Sequence, residues 1–532
     1  MVATRHPLAA EAGCSVLECG GNALDAAVAA SLASSVVMPV ANTIGGGGLL
    51  VVHDPHTGLS GTIDYRYEAP RAAYDGMYDP TPSAPDSLFT ADAALDQANE
   101  IGHRAIAVPG SVAGLIRAHQ QWGRLPLAAV SSSAIRLARD GFEMDWYGTL
   151  MAAGHLEILR RYPRTASMFL RDGLPYRPPI MGAGDLMRQP ALADTLEEIV
   201  ATDGASFYRG ELASQVIDDL TAHGALIDAD DLADYEPRES DSIALSYRGH
   251  TILGAANAAL YRQLIPLLDQ LELADYAPAD PRRLHLLVEA LRRCRAEQDT
   301  WYGDELALDH AQFRHLTSKS HAVELAASIS RNRRTDPIVS RPWTARAECT
   351  MHVSAIDADR MAVSLTETIL GNWGSGVTAP GGVLLNNGMS GFTLRPGHPN
   401  AVGGRKRPLS NMTPLIVLHP DGSLACTLGA SGGPRIVGAV VQVLSHMIDH
   451  GLGIQEAIEQ PRVDVHGEHV LLDARLGQDT AAELAGYGHE VLTRTETLST
   501  FEFANPCGIA VKPDGKLHGG ASPFQTTTAV GF

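Results

Sequence analysis

Apolar and polar positions along the first part of the chain predict a buried helix followed by a β-hairpin. Residues 22–37, NALDAAVAASLASSVV, form a long apolar run that Asn22 can cap, with Asp25 favourably placed in the first turn. The next stretch, TIGGGGLLVVHD, leads from a glycine loop into a strand, and PHTG and GTIDYR complete the hairpin. Because a strand follows the glycines, they do not fit a phosphate-binding loop, which needs a helix N-terminus.

The middle of the chain has helical periodicity and ends in a segment without it. Across residues 108–302, apolar positions recur at spacings of three and four, as in GSVAGLIRAHQQWG, which predicts helices covering a sheet. Residues 331–349 contain five Arg and two Pro without sustained periodicity, which predicts an exposed linker. The runs MHVSAID and MAVSLTETI then predict two strands joined at residues 358–360. Thr350 therefore opens a hairpin directly after a linker.

Composition narrows the classes of function. The chain of 532 residues carries a formal charge of −20, which disfavours nucleic acid as a partner. Six scattered cysteines without a CxxC pair favour a reducing compartment over a disulfide framework or a zinc knuckle. The start, MVATRHPLAAEAG, lacks a secretion-signal pattern, and the most apolar window, residues 26–41, is too short for a confident bilayer span. We expect a cytoplasmic protein with no membrane partner.

The junction between Cys349 and Thr350 raises the question of nucleophilic chemistry. A Thr hydroxyl needs a base, and the α-amino group of the same residue, with a pKa of about 7.7 to 8.0, can serve if the chain is cut after Cys349. The same hydroxyl could make that cut by attacking the Cys349 carbonyl. The simpler reading is a β-branched residue at a strand start. Cys349 is a weaker candidate nucleophile, because no His and acid arrangement is evident around it.

A rival nucleophile is Ser431, in the sequence GASGG at residues 429–433. The motif fits a nucleophile elbow, since an apolar run precedes it and a helix with Pro434 at its first position is predicted to follow. Asp464 and His489 could complete a triad with Ser431. The alternative is a glycine loop whose backbone amides stabilise an oxyanion made by another nucleophile.

A metal or cofactor is not expected from the motifs. His446 and His450 lie on one predicted helical face, but no Glu follows the first His, so the zinc-protease pattern fails. His450 before Gly451 is more simply a cation at a helix C-terminus.

Collinear motifs along nearly the whole chain resemble one protein family. In order they are MVATRHPLAAEAG, GGNALDAAVAA, IGGGG, YRYEAPRAA, AVPGSVAGL, GRLPLAA, AIRLARDGF, FYRGELA, TMHVSAID, LLNNGMSGF, KRPLSNMTP and GASGGPRI. On these motifs the chain resembles the γ-glutamyltransferases, which are self-processing N-terminal-nucleophile hydrolases. The resemblance implies an α/β (α+β) fold, a four-layer αββα sandwich.

The resemblance also implies two subunits cut from one precursor. Residues 1–349 would form the large subunit and residues 350–532 the small one, together making one αββα domain. Cleavage between Cys349 and Thr350 would make Thr350 the nucleophile. Such heterodimers could assemble further into a homo-oligomer, a point that the sequence leaves open.

Further site residues follow from the resemblance, motif by motif. Thr368 matches a second Thr that supports the nucleophile, and Gly432 and Gly433 match the pair forming the oxyanion hole, which makes Ser431 a loop residue. The residues that the resemblance assigns to the donor's α-carboxylate are Arg66, Ser410 and Asn411, the last of which replaces a second Ser.

Departures from the family's pattern concentrate where the donor's α-amino group would lie. The family has an Asn, a Gln or Glu, and an Asp there, whereas the matching positions in this chain are Leu370, Gly388 and Gly391. Tyr67 also replaces the acid after the carboxylate-binding Arg, and Met351 follows the nucleophile where Thr is usual. Burying an ammonium group without acceptors would cost several kcal/mol. We therefore expect a donor that keeps its carboxylate and lacks the α-ammonium.

Several donors satisfy this expectation. Relatives that look like γ-glutamyltransferases include oxamate amidohydrolases, glutaryl (cephalosporin) acylases and the carbon–carbon hydrolases that remove an oxalyl unit in alkylproline antibiotic pathways. Loss of the amino pocket favours amide or C–C hydrolysis of an oxalyl or 2-oxo acid group. The alternatives are a γ-glutamyl hydrolase or transpeptidase acting on glutathione-like donors, a catalytically retired binding protein, and a Ser431 α/β-hydrolase.

Overall fold

The computed structural model describes most of the chain. The described residues are 1–81, 94–257, 259–305, 307–335, 349–500 and 502–532. Most of the predicted linker at 331–349 lies outside the described residues.

The strands are distributed over both halves of the chain. In chain order they are β1 (Val2–Thr4), β2 (Gly47–Asp54), β3 (Leu59–Asp64), β4 (Phe142–Glu143), β5 (Leu186–Met187), β6 (Arg238–Asp241), β7 (Ile243–Tyr247), β8 (His250–Gly254), β9 (Met351–Ile356), β10 (Ala362–Thr368), β11 (Thr378–Ala379), β12 (Val383–Leu384), β13 (Leu415–Leu418), β14 (Leu424–Ser431), β15 (Val463–His466), β16 (His469–Asp473), β17 (Glu490–Arg494), β18 (Asn505–Val511), β19 (Leu517–Ala521) and β20 (Thr528–Val530).

The helices cover the sheets from outside. In chain order they are α1 (Pro7–Glu18), α2 (Ala23–Val37), α3 (Ser111–Trp122), α4 (Leu127–Asp140), α5 (Trp146–Gly154), α6 (Leu156–Arg161), α7 (Pro163–Phe169), α8 (Pro190–Ala201), α9 (Ala205–Tyr208), α10 (Glu211–Ala222), α11 (Ala229–Ala233), α12 (Tyr261–Asp269), α13 (Pro281–Trp301), α14 (His310–Leu316), α15 (Lys319–Ser328), α16 (Arg435–His450), α17 (Ile454–Glu459) and α18 (Gly477–Gly486). Within the described part of the chain, none of them combines the length and apolarity that a bilayer crossing requires.

Two antiparallel sheets form the centre of the molecule. One has seven strands in the order β20-β1-β9-β10-β2-β3-β6, and the other has six in the order β19-β18-β14-β13-β8-β7. Apolar side chains from both sheets, including Leu49, Ile416 and Ile509, form a shared inner core. Two larger cores lie between the sheets and the flanking helices, one holding α2 and the other α13 and α16. The expected αββα arrangement is confirmed.

The two sheets are in close contact at Gly429 and His352. A Cβ atom at position 429 would collide with the His352 imidazole, so only glycine fits this point of β14. The imidazole is hydrogen-bonded to Thr366 Oγ1 at 2.8 Å and Ser354 Oγ at 3.0 Å. Burial lowers the pKa of His352 to about 3, so the ring is neutral near pH 7. This contact lies on the strand that begins directly after Thr350.

The register of β9 and β10 brings two threonines together. Met351 pairs with Glu367 and His352 with Thr366 in an antiparallel ladder. Continuing that ladder by one residue places Thr350 opposite Thr368. Local strand pairing alone thus juxtaposes the expected nucleophile and its expected supporting hydroxyl.

Several predicted elements are confirmed. The helix expected at 22–37 is α2, whose cap, Asn22, accepts a hydrogen bond from Asp25 N through its side chain and donates its backbone N–H to Asp25 Oδ2, forming a capping box. The hairpin after the glycine loop is β2–β3, and the hairpin after Thr350 is β9–β10.

Two details differ from the sequence reading. The mostly helical region also contains β6, β7 and β8, and the last two extend the second sheet, so it is more than a helical shell. Pro434 is the residue preceding α16 and not its first helical residue. Helix ends are commonly misplaced by one residue because the cap has helix-like backbone angles, as Pro434 does.

A buried acid lies beside the threonine pair. Glu367 is inaccessible to solvent; its carboxylate accepts hydrogen bonds from Ser31 Oγ and, at 3.2 Å, from Asn42 Nδ2. Burial raises the pKa of Glu367 to about 7, although these hydrogen bonds oppose the rise. The folded chain therefore keeps a proton on Glu367 at a pH where the unfolded chain has lost it.

Glu367→Gln tests this assignment through the pH dependence of stability. Because the folded-state pKa is raised, the wild-type free energy of unfolding should decrease by up to about 3 kcal/mol as the pH rises from about 4.5 to about 7. The glutamine variant should lack this pH-dependent decrease. Urea unfolding at several pH values, in an uncleaved Thr350→Ala background, measures the difference. Glu11→Gln, at an exposed position of α1, is the control for loss of a carboxylate. Parallel pH profiles for wild type and Glu367→Gln would contradict the raised pKa.

Candidate active site at the Cys349 to Thr350 junction

Strand ends and loops from both sheets surround a cavity of about 240 Å³. Thr350 precedes β9, Thr368 ends β10, and Arg66 follows β3. The predicted site residues that line the cavity are Arg66, Thr350, Thr368, Ser410, Asn411 and Gly433. Residues far apart in the sequence therefore meet at one opening.

The chain on either side of the junction is held by Arg5, a buried residue that follows β1. Its Nη1 donates to the Thr350 carbonyl at 2.8 Å and to Cys349 Sγ at 3.1 Å. The same guanidinium donates to Tyr147 Oη at 2.6 Å and to Gln525 Oε1 at 2.7 Å. Because these four contacts come from three separate segments, Arg5 fixes the position of the junction relative to the segments around Tyr147 and Gln525.

Thr368 contacts the peptide bond that the resemblance marks for cleavage. Its Oγ1 donates to the Cys349 carbonyl oxygen at 2.5 Å and accepts from Leu370 N at 2.8 Å. The Leu370 amide occupies a lone pair of the hydroxyl and so directs its proton towards the carbonyl. The hydroxyl is therefore placed to stabilise negative charge on the Cys349 oxygen.

The glycine pair after β14 makes a sharp turn on the cavity wall. Gly432 and Gly433 have φ angles of +133° and +59°, a region that favours glycine. A Cβ atom at position 432 would lie 2.8 Å from Ala504, so the space is also closed to larger residues. Gly433 lines the cavity, and Gly432 lies behind it against Ala504.

Arg66 lines the cavity, yet its guanidinium fork is already occupied. Nε and Nη2 donate to the two carboxylate oxygens of Asp64 at 3.0 and 2.6 Å, and Nη1 donates to the Pro408 carbonyl at 2.9 Å. Burial would raise the pKa of Asp64, but Arg66 and Arg407 hold it well below its usual range. A substrate carboxylate that reaches Arg66 must share it with an ionised Asp64.

The region expected to hold an α-amino group is filled by apolar side chains. A Cβ atom at Gly388 would collide with the Tyr67 ring, so the tyrosine occupies the space of the missing side chain. A Cβ atom at Gly391 would lie 2.8 Å from Pro408 and 3.5 Å from Leu370. The departures noted in the sequence therefore pack against one another as one apolar wall.

Sequence reasoning missed several charged groups on the cavity wall. Glu100 and Asp299 contribute carboxylates, and Arg395 donates to Asp299 Oδ1 at 2.8 Å. No motif marks these residues. Arg66 and Arg295 also line the cavity, and each is already paired with a carboxylate, Arg66 with Asp64 and Arg295 with Asp464.

The proposed Ser431 triad is not assembled. The Ser431 hydroxyl is buried and has no hydrogen-bond partner among the described residues. Asp464 instead pairs with Arg295 at 2.6 Å, and His489 is hydrogen-bonded to His285 at 2.8 Å. The elbow reading is therefore wrong, because the acid and the base are committed to other partners.

Comparison with known proteins agrees with the geometry of the site. The Gamma-glutamyltranspeptidase family profile matches residues 9–532. The chain is 31% identical to the glutathione hydrolase proenzyme of Escherichia coli K12, over 98% of this chain and 90% of that protein. It is 33% identical to the acylase ACY 1 proenzyme of Pseudomonas sp. V22, over 98% and 91% of the two chains.

A solved structure extends the comparison to the fold. The cephalosporin acylase of Bacillus halodurans superposes with a TM-score of 0.85 and 25% identity, covering 100% of this chain and 95% of that one. The agreement of profile, relatives and architecture covers both sides of the Cys349 to Thr350 junction. The chain belongs to the γ-glutamyltranspeptidase family of N-terminal-nucleophile hydrolases and acyltransferases.

Proposed function

We propose that this protein is a self-processing hydrolase in which Thr350 forms an acyl-enzyme with a donor that bears a carboxylate but no α-ammonium group. An oxalyl or 2-oxo acid donor is favoured, with cleavage of an amide or a C–C bond. The observation that carries the proposal is the apolar wall of Tyr67, Leu370 and Pro408 where an amino group would need acceptors. The two-subunit division at residue 349 and a cytoplasmic location belong to the same proposal.

Guanidinium, hydroxyl and amide groups on the cavity wall support a substrate that carries a carboxylate. Arg66 and Arg395 both line the cavity, and the hydroxyl of Ser410 and the amide of Asn411 are on the same wall. A carboxylate can accept hydrogen bonds from all these groups, and guanidinium groups bind it most strongly. Asp64 already accepts two of the hydrogen bonds that Arg66 can donate. A substrate carboxylate is therefore bound better if it also contacts Ser410 or Asn411.

The contacts at the junction support self-cleavage. The Thr350 hydroxyl attacks the Cys349 carbonyl carbon, and the Thr368 hydroxyl stabilises the resulting oxyanion. The C–N bond then breaks, its nitrogen takes a proton, and Cys349 becomes esterified to the Thr350 oxygen. Water hydrolyses the ester to leave a Cys349 carboxylate and a free Thr350 amine. That amine can then serve as the base for attack on the donor.

A γ-glutamyl hydrolase or transpeptidase acting on glutathione-like donors is the second candidate. Glu100 and Asp299 on the cavity wall favour it, because a carboxylate is what an α-ammonium group needs. Asp299 is the weaker of the two as an acceptor, since Arg395 already pairs with it. The glutathione hydrolase among the relatives fits this candidate, whereas the acylases fit the first.

Thr350→Ala tests the nucleophile, and Ser431→Ala is its control. Thr350→Ala should leave one full-length chain on denaturing electrophoresis and abolish turnover. Ser431→Ala should be cleaved and active within about threefold of wild type, because its hydroxyl has no partner to lose. An uncut wild-type chain that turns over substrate would overturn the self-processing proposal. A wild-type chain that is neither cut nor active would support a retired binding protein.

Thr368→Val tests the hydroxyl that contacts the scissile carbonyl. The change keeps the shape of the side chain and removes the donor, so the rate of cleavage after Cys349 should fall by about 10² to 10³-fold. Thr368→Ser should restore most of the rate. The time course of fragment formation during expression or after refolding measures the effect.

Thr427→Val is the matched control for that experiment, because Thr427 is a buried threonine whose hydroxyl has no partner among the described residues. It should be processed at the wild-type rate. If Thr368→Val is also processed at that rate, the Thr368 hydroxyl does not stabilise the cleavage oxyanion.

A matched pair of anilides tests the donor. Glutaryl anilide differs from γ-glutamyl anilide only by the missing α-amino group, and oxalyl anilide tests the shorter acyl group. Because an unpaired buried ammonium costs several kcal/mol, we expect kcat/KM for the best amino-free donor to exceed that for the γ-glutamyl compound by about 10²-fold or more. Faster turnover of the γ-glutamyl anilide would favour the second candidate, and Glu100→Gln and Asp299→Asn would then identify the ammonium acceptor.

A further inference from the structure

A group of potential metal ligands lies at the corner between α14 and α15, away from the cavity lining. It consists of His315, His321 and Glu324, whose ligand atoms all lie within 4.8 Å of one another. The two imidazole rings are tilted, with centroids 4.7 Å apart. His315 and Glu324 are exposed, whereas His321 is more than nine-tenths buried.

His321 has one ring nitrogen with a firm partner and one without. Its Nε2 lies 3.0 Å from Glu297 Oε2. Its Nδ1 is buried and has no hydrogen-bond partner in the described structure; the Glu324 carboxylate, at 3.8 Å, is too distant for one. A buried polar atom without a partner calls for an explanation.

The surroundings of Glu297 favour one tautomer of His321. Gln263 Nε2 donates to the Glu297 carboxylate, and Gln263 Oε1 accepts from Tyr302 Oη at 3.1 Å. The chain of donors leaves Glu297 as an acceptor, so the His321 proton resides on Nε2 and the lone pair on Nδ1. A carboxylate behind a histidine in this way is the usual support of a metal-bound imidazole.

We infer that His315, His321 and Glu324 form a zinc site, with His321 Nδ1 as the buried ligand and Glu297 as its supporting carboxylate. Two imidazoles and one carboxylate suit Zn²⁺ better than Mg²⁺ or Ca²⁺, which prefer oxygen ligands alone. Water completes a tetrahedron. The two exposed ligands lie on flexible side chains, and closing them by about 1 to 1.5 Å gives the ligand spacing of a tetrahedral zinc.

A zinc ion at this position would have a structural role and not a catalytic one. None of the three ligands lines the catalytic cavity, so the metal does not contact substrate. It ties α14 to α15 and, through Glu297, to the last turns of α13. Asp299 on those turns lines the cavity, so zinc would stabilise one wall of the active site from outside.

Zinc titration of the chelator-treated full-length protein tests the site. Wild type should bind one equivalent of Zn²⁺ by isothermal titration calorimetry, and Co²⁺ should give the visible absorption of a tetrahedral complex. His315→Ala and Glu324→Gln, both at exposed positions, should weaken binding by at least about tenfold, and Glu297→Gln by about 10 to 100-fold. His310→Ala, an exposed histidine at the start of α14, is the matched control and should bind as wild type does.

The titrations of the variants distinguish a specific zinc site from non-specific binding of zinc to surface histidines. Loss of the single equivalent in His315→Ala and Glu324→Gln, with His310→Ala unchanged, would support the site. Equal binding by all variants, or the absence of a one-equivalent site in wild type, would overturn it. Anilide hydrolysis plays no part in this readout, so the result is independent of the proposed donor.

Discussion

The guanidinium of Arg5 is the contact on which the geometry of the junction depends. It is nearly inaccessible to solvent and donates to the carbonyl of Thr350, the sulfur of Cys349, Tyr147 and Gln525. A buried cation is stable only when its donors are satisfied, so separating Arg5 from the three segments that accept its hydrogen bonds would leave buried N–H groups unsatisfied. Because the bond to Thr350 is to its own carbonyl oxygen, a cut after Cys349 would leave this bond intact. The same contact can therefore hold the precursor junction and a newly formed N-terminus.

Local signals were enough to predict the parts of the fold nearest this contact. Asn22 predicted its helix because a cap acts within one turn, and β9 and β10 followed from two strand-like runs around a short polar turn. Arg5, Glu100 and Asp299 carry no such signal, because their roles arise from contacts between segments far apart in the chain. The roles of Thr350 and Thr368 came from resemblance to a family; pattern alone left Thr350 as a strand start.

The role that the resemblance assigns to Arg66 differs from what its local contacts show. The resemblance placed it at the donor carboxylate, and it does line the cavity. Its partner Asp64 stands two residues away on an extended segment, where side chains share a face, so their pairing had a readable sequence signal. The ionised Asp64 neutralises part of the charge that a donor would meet. Arg295 and Arg395, which no motif marks, are likewise paired, with Asp464 and Asp299.

Under the proposed function, the apolar wall reflects coupled substitutions. The Tyr67 ring fills the space that a side chain at Gly388 would need, and Pro408 crowds position 391, where Leu370 is in van der Waals contact. Restoring an acid at Gly388 alone would drive it into Tyr67 and bury a carboxylate against an aromatic ring, at a cost in stability. Removing Tyr67 alone would leave a cavity without an acceptor. A return to ammonium recognition therefore requires both changes together, which makes the present wall self-consistent and resistant to single mutations.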